Sequence, residues 1–246
     1  MTFTRLEKEK KPYLLFFKIS REREEYDTLQ TTNKMNSQEK VLSCYNKVAD
    51  DYAADRWDEL SKKHLDQLLL KEFAAVNKDK GLCADFGCGP GQTTRFLYEN
   101  GLKDIVGIDL SPAMVNAARR LSPEIKFETG DLLNIGYPSE YLGSALAFYS
   151  IVHFNTEQVR KCFGEINRVL KTGADFLFSF HAGDEIVHFD KAHDKEIDID
   201  LYFFKTEDII VLLNETGFNI TDAIERPPRE GMAYPTRRAY IWAEKK

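Results

Sequence analysis

After Gly81 the chain alternates short apolar runs with amphipathic stretches, a pattern that leads to a parallel sheet covered by helices. Residues 82–86, 105–109, 125–128, 144–150 and 174–180 read as five such strands. Residues 92–99 and 157–170 read as covering helices. Ser111 followed by Pro112 opens another, because Ser caps the first turn and Pro at the first helical position forfeits no hydrogen bond. Thr206 starts a further helix that ends at Gly217, and 218–225 with 238–243 read as a closing strand pair. Ahead of the sheet, Val41, Tyr45, Val48 and Tyr52 form one helical stripe. A second helix from about Trp57 turns Leu65, Leu68, Leu69, Phe73 and Val76 to one side and ends at residues 77–81. The segment 181–205 reads as an unusually long loop, of the kind that covers a binding site.

The 246 residues suffice for one α/β domain, read here as 37–246 with lid helices over 37–80, preceded by a charged extension (1–36) expected to be poorly ordered. With 43% apolar and 30% charged residues the chain has the composition of a soluble protein. A net charge of −6 disfavours nucleic acid as partner, since such binders draw affinity from neutralising phosphates. Cys44, Cys83, Cys88 and Cys162 show no C-x-x-C spacing, which reads as reduced thiols in a cytoplasmic protein. No run approaches the roughly 20 apolar residues of a membrane span. The apolar run at 12–20 carries Lys18 and lacks a cleavage site, so it does not read as a signal peptide.

The most informative stretch is Ala84-Asp85-Phe86-Gly87-Cys88-Gly89-Pro90-Gly91-Gln92, which joins a buried strand to a helix. Its alternate glycines permit a tight turn and a close approach of ligand to backbone, with amide N–H groups facing whatever binds. Asp109 ends the second strand, where a carboxylate can accept both hydroxyls of a ribose. That geometry suits a nicotinamide dinucleotide equally well. Asp131 follows the third strand and is suited to accept a hydrogen bond from the exocyclic amine of adenine.

From Ser37 onward the chain resembles the class I S-adenosylmethionine (AdoMet)-dependent methyltransferase family, in its small-molecule branch. ADFGCGPG resembles the family's first motif, GIDLSP its second and TGDL its third; AFYSIVHF and YNKVADDYAADR resemble its post-strand-four segment and its N-terminal closing helix. The resemblance implies a Rossmann-like seven-stranded, mostly parallel sheet with helices on both faces and an antiparallel last strand. It implies that Gly87, Cys88, Gly89 and Gly91 accommodate the methionine and ribose of AdoMet, with Asp85 supporting the loop or the amino group. Asp109 would hold the ribose, Leu110 and Met114 would pack on adenine, and Asp131 with Leu132 would read its edge. Tyr45, Tyr52 and Tyr149 would lie toward the methionine end.

Methyl transfer asks for placement, exclusion of water and, for a protonated nucleophile, a base. The residues after the fourth strand, Tyr149-Ser150-Ile151-Val152, lack the Asn/Asp-Pro-Pro-Tyr/Phe signature of enzymes that methylate exocyclic amines of bases or glutamine side chains. They also lack the acids that aminopropyl transferases and metal-dependent catechol methyltransferases carry there. His153 and His181 fall just after strands four and five and are the candidate general bases. His181, His188 and His193 with Asp184 or Asp190 lack ligand spacing, so no metal is expected. Tyr202, Phe203 and Phe204 are candidates to line an apolar pocket or to anchor the loop. The expected activity is methyl transfer to an oxygen or nitrogen of a small molecule, by a monomer or homodimer. Two rivals are a nicotinamide-dependent oxidoreductase, weakened by Gln92 where a third glycine would stand, and a non-catalytic AdoMet-binding regulator.

Overall fold

The computed structural model describes residues 35–229 and 234–246, so the extension read over 1–36 lies outside the described residues except for Met35 and Asn36. Asn36 starts helix α1 (Ser37–Arg56) with a capping box. Its side chain accepts from the Glu39 N–H at 3.0 Å, and Glu39 accepts from the Asn36 N–H at 2.8 Å. A 3₁₀ turn (Glu59–Lys62) leads into α2 (His64–Asn77). The alternating unit then runs β1 (Cys83–Phe86), α3 (Gln92–Glu99), β2 (Ile105–Asp109), α4 (Pro112–Leu121), β3 (Lys126–Thr129) and β4 (Leu142–Phe148). After a 3₁₀ turn (Ile151–His153) come α5 (Thr156–Val169), β5 (Leu170–His181), β6 (Ile186–Ala192), β7 (Lys195–Tyr202), α6 (Thr206–Glu215), β8 (Phe218–Arg226) and β9 (Arg238–Lys245).

Seven strands form one sheet in the order β3-β2-β1-β4-β5-β9-β8, with β1 to β5 parallel and β9 antiparallel to both its neighbours. The chain leaves β1 toward β2 and returns to β4 on the other side of β1. A crevice opens between their carboxyl ends, where open α/β sheets bind ligands. On β5 the period-two alternation sends Phe176, Phe178 and Phe180 to one face and Leu177 to the other. Phe178 stacks on Phe176 with centroids 4.7 Å apart and meets Phe163 of α5 at 5.2 Å. The opposite face packs Leu177 and Leu146 with Phe73 of α2 and Leu97 of α3.

Two expectations need correction. Helix α2 buries Asp66, Leu70, Phe73, Ala74 and Asn77, whereas Leu68 and Val76 are exposed. Its inward face carries two polar residues that find internal partners: Asp66 accepts from the Tyr240 hydroxyl at 2.7 Å and Asn77 donates to the Phe73 carbonyl at 3.0 Å. The segment 181–205 is no loop: β6 and β7 pair as an antiparallel hairpin. His193 and Asp194, both at positive φ (49° and 59°), make its two-residue turn. The hairpin packs against α1, where Lys195 pairs with Asp51 at 2.6 Å and Lys40 with Asp198 at 2.7 Å. Among the described residues no helix is long and apolar enough to cross a membrane.

Because Phe178 is fully buried at the centre of the aromatic stack, Phe178→Ala is expected to cost about 3–5 kcal/mol. Urea unfolding of the variant against the parent protein checks this. A loss below about 1 kcal/mol would mean that the stack repacks around the deletion.

Candidate active site

The loop after β1 is the floor of the crevice. Gly87 has φ +68°, and a Cβ there would sit 2.3 Å from the Cβ of Ser150, so β1 and the segment after β4 can touch only because that atom is missing. Gly89 has φ +54° yet faces open space, the nearest atom to an added Cβ being Tyr52 Cε1 at 4.0 Å. Gly91 lies outside the crevice lining, and a Cβ there would meet the Phe127 ring at 2.8 Å. It lets α3 start close against β3. The Cys88 thiol is buried, and burial holds it well above its ordinary pKa, so it stays protonated.

Asp109 holds this floor in shape. One carboxylate oxygen accepts the Gly89 N–H and the other the Ser111 N–H, both at 2.8 Å. Each oxygen keeps a lone pair for the crevice, which Asp109 lines. Burial raises its pKa against the lowering effect of the bonds from Ser111 and Gly89. Asp85, behind the loop, accepts from the Thr94 hydroxyl at 2.6 Å. Burial first, then repulsion from Asp109, lifts its pKa to about 7.

The roof is α1. Gln38 donates from its amide nitrogen to both oxygens of Asp131, each at 3.1 Å, and the Leu133 N–H donates to Asp131 Oδ1 at 2.8 Å. Leu110, Met114 and Leu132 line the same end together with Val41 and Leu42 of α1. An apolar slot therefore ends on a carboxylate. Asn46 of α1 accepts from the Ser111 hydroxyl at 2.7 Å, which joins the roof to the start of α4. At the other end the lining contains Ser150 Oγ, Gln92 Oε1 and Asp66 Oδ2, buried oxygens without a hydrogen-bond partner among the described residues. Such atoms in a native crevice point to a polar occupant.

His153 closes the inner end. Its Nδ1 donates to the Asp200 carbonyl of β7 at 2.8 Å; a carbonyl can only accept, so Nε2 carries the lone pair and accepts from the Tyr45 hydroxyl, also at 2.8 Å. Burial lowers the His153 pKa and raises that of Tyr45 well above the ordinary phenol. The pair is neutral, with a proton acceptor ready behind a hydroxyl. His181 differs. Arg238 Nη1 donates to its Nδ1, and burial together with Arg238 drives its pKa to about 2. The general-base role suggested by its position is therefore poorly served, because the lone pair is already engaged by a cation.

Beyond Tyr45, Tyr52, Tyr149 and His153 the crevice continues into a second chamber, walled by Val152, Phe189, Ile199 and Leu201 and reached by Arg56, Glu59, Lys63, His181, Tyr234 and Arg238. Tyr149 stands between the two compartments at φ +56°, rare for a bulky side chain, with Lys63 and Arg238 over its ring at 4.8 and 5.2 Å. Its hydroxyl lies 3.1 Å from that of Tyr240.

Of the residues named from sequence, Tyr45, Tyr52, Asp85, Gly87, Cys88, Gly89, Asp109, Leu110, Met114, Asp131, Leu132, Tyr149 and His153 line the first compartment. His181 lines only the second, and Gly91 neither. Tyr202, Phe203 and Phe204 are not in either lining; Phe203 and Phe204 are buried in the core, as an anchor would be. Sequence reasoning missed Gln38, although it extends the Val41–Tyr45 stripe backward by one helical step. It also missed Glu59, Lys63, Asp66 and Arg238, for which charge alone gave no signal.

Residues 83–173 match the family model described as a methyltransferase domain. An uncharacterized methyltransferase of Geobacillus sp. strain WCH70 is 24% identical over 178 residues, covering 68% of this chain and 78% of that protein. A ubiquinone/menaquinone biosynthesis C-methyltransferase of Campylobacter jejuni is 28% identical over 155 residues, covering 56% of this chain and 62% of its own length. Among solved structures, magnesium protoporphyrin IX methyltransferase from Synechocystis PCC 6803, with bound AdoMet, superposes with a TM-score of 0.65 at 18% identity, covering 88% of this chain and all of that one.

The raised pKa of Asp85 has a consequence for stability. The unfolded chain releases this proton near the ordinary value of 3.8 and the folded chain only near 7, so folding loses free energy as pH rises between the two. Asp85→Asn removes that loss. Its urea midpoint, relative to the parent, is expected to climb between about pH 4 and about pH 7 and then level off. A pH-independent difference would mean that Asp85 titrates normally.

Proposed function

Because this chain belongs to the class I AdoMet-dependent methyltransferase family, we propose that it transfers the methyl group to an oxygen or nitrogen of a small-molecule acceptor held in the second chamber. The observation that carries this reading is the Tyr45–His153 pair, a neutral proton-accepting unit at the boundary between the two compartments. The crevice fits AdoMet on its own terms. Asp109 has lone pairs for ribose hydroxyls, Asp131 closes an apolar slot suited to adenine, and the orphaned oxygens of Ser150, Gln92 and Asp66 suit the polar amino-acid end. Bound there, AdoMet supplies a methyl group made electrophilic by its sulfonium.

The chain's own residues do the rest. Tyr52 and Tyr149 wall the methionine end, and Gln38, Val41 and Leu42 cover the slot against water. The acceptor's proton passes to Tyr45 Oη as the Tyr45 proton moves to His153 Nε2, while the Asp200 carbonyl keeps the imidazole in the required tautomer. The hairpin and α1 together form the lid that governs access to the chamber. The nicotinamide alternative finds no support: Gln92 occupies the position of its third glycine, and Asp131 is left without a task. We take the enzyme to act in the cytoplasm as a monomer or homodimer, consistent with four cysteines that are all free and buried.

The test is release of S-adenosylhomocysteine (AdoHcy) on a panel of small hydroxyl, carboxyl and amine acceptors, with the carbon shift of the transferred methyl reporting whether O, N or C received it. His153→Gln is expected to lower kcat by about 10²-fold while leaving AdoHcy affinity nearly unchanged. With a lowered pKa, His153 remains neutral in mild acid, so turnover should hold as pH falls through the ordinary histidine range near 6.5. Label incorporated into protein or RNA but into no small acceptor would overturn the reading.

A further inference from the structure

Three cations reach the second chamber, and the buried Asp66 lies 3.9 Å from one of them, Lys63. Arg56, Lys63 and Arg238 reach it, against Glu59 as the acid in its lining. Glu59 is already shared, by Arg56 at 2.8 Å and Lys63 at 3.0 Å, and those two cations outweigh burial in lowering its pKa. Arg238 has no carboxylate within ion-pair distance among the described residues. Its bonds go to neutral groups: Nη1 to His181 Nδ1 and Thr236 Oγ1, Nη2 to the Tyr234 carbonyl at 2.8 Å, with its Cζ over the Tyr149 ring. Arg226 adds a second cation behind the wall, donating to the Tyr240 hydroxyl at 3.1 Å. Val152, Phe189, Ile199 and Leu201 give the chamber an apolar wall beside its tyrosines and histidines.

We propose that the acceptor of this methyltransferase is an organic acid, its carboxylate held by Arg238 and its apolar frame packed on the Phe189, Ile199 and Leu201 wall. The inference rests on the methyltransferase reading and adds the substrate class. A buried guanidinium is costly without an opposite charge, and its planar fork matches the two oxygens of a carboxylate. Burial lowers the Arg238 pKa. The same field repels amines, which narrows the nucleophile toward oxygen. Tyr45 and His153 border the chamber too, so an acid anchored at Arg238 can present a hydroxyl to them.

The experiment is calorimetric titration of the full chain, saturated with AdoHcy, using straight-chain acids from hexanoate to dodecanoate and 3-phenylpropionate, each beside its primary amide and its amine. At least one acid is expected to bind about tenfold or more tightly than its amide, with the amine not bound. Arg238→Met should remove that preference while AdoHcy still binds, and Arg238→Lys should retain part of it. Equal binding of acid and amide, binding of no acid, or an acid preference that survives Arg238→Met would each overturn the assignment. The corresponding phosphonates form a final arm, and their binding in place of every acid would also overturn it. If AdoHcy itself does not bind, the methyltransferase reading fails first, and the two failures are separable.

Discussion

The Asp109 carboxylate ties together three segments that the sheet alone would leave independent. Its oxygens receive one N–H from the glycine loop after β1 and one from the capping residue of α4, and that residue in turn bonds to α1 through Asn46. The loop can accept this tie because Gly87 and Gly89 adopt left-handed conformations and Gly87 lets Ser150 approach. The glycine loop, the start of α4 and the roof of the crevice are thus tied through one partly buried carboxylate. The raised pKa values of Asp109 and Asp85 reflect burial of two acids near each other, a strained arrangement of a kind found at functional sites.

A second linkage joins the β6–β7 hairpin and α1 through His153. The Asp200 carbonyl that fixes the His153 tautomer belongs to β7, the hairpin strand that packs on α1. Tyr45, the partner of His153, belongs to α1 itself. The elements that cover the chamber therefore also orient the groups that would accept a proton.

Much of the fold was legible because it depends on local rules. Alternation of buried runs with amphipathic helices, the Ser111-Pro112 helix start and the glycine loop each announce themselves within a few residues. The hairpin was misread for a local reason too. Its turn is His193-Asp194, without the Asn-Gly or Asp-Gly that signals a tight turn, although Ile197, Ile199 and Leu201 of β7 alternate with acids as a half-buried strand should. Helix α2 was misassigned because Asp66 and Asn77 face inward, and their partners, Tyr240 and the Phe73 carbonyl, are invisible to a periodicity argument. The chamber was less accessible still. Arg56 with Lys63, Val152 and Arg238 come from three separate parts of the chain, and only the fold reveals that Glu59 pairs with the first two, that Asp66 also meets Lys63, and that among the described residues no carboxylate lies within ion-pair distance of Arg238.

The cofactor crevice is the claim on which the rest depends, and calorimetric titration of AdoHcy against the full chain and Asp109→Asn tests it most directly. The account predicts saturable one-to-one binding to the parent protein, weakened at least about tenfold by the substitution, which replaces a charged acceptor by an amide at both the loop and the ribose. Absence of saturable binding to the parent protein, or undiminished binding to Asp109→Asn, would contradict it.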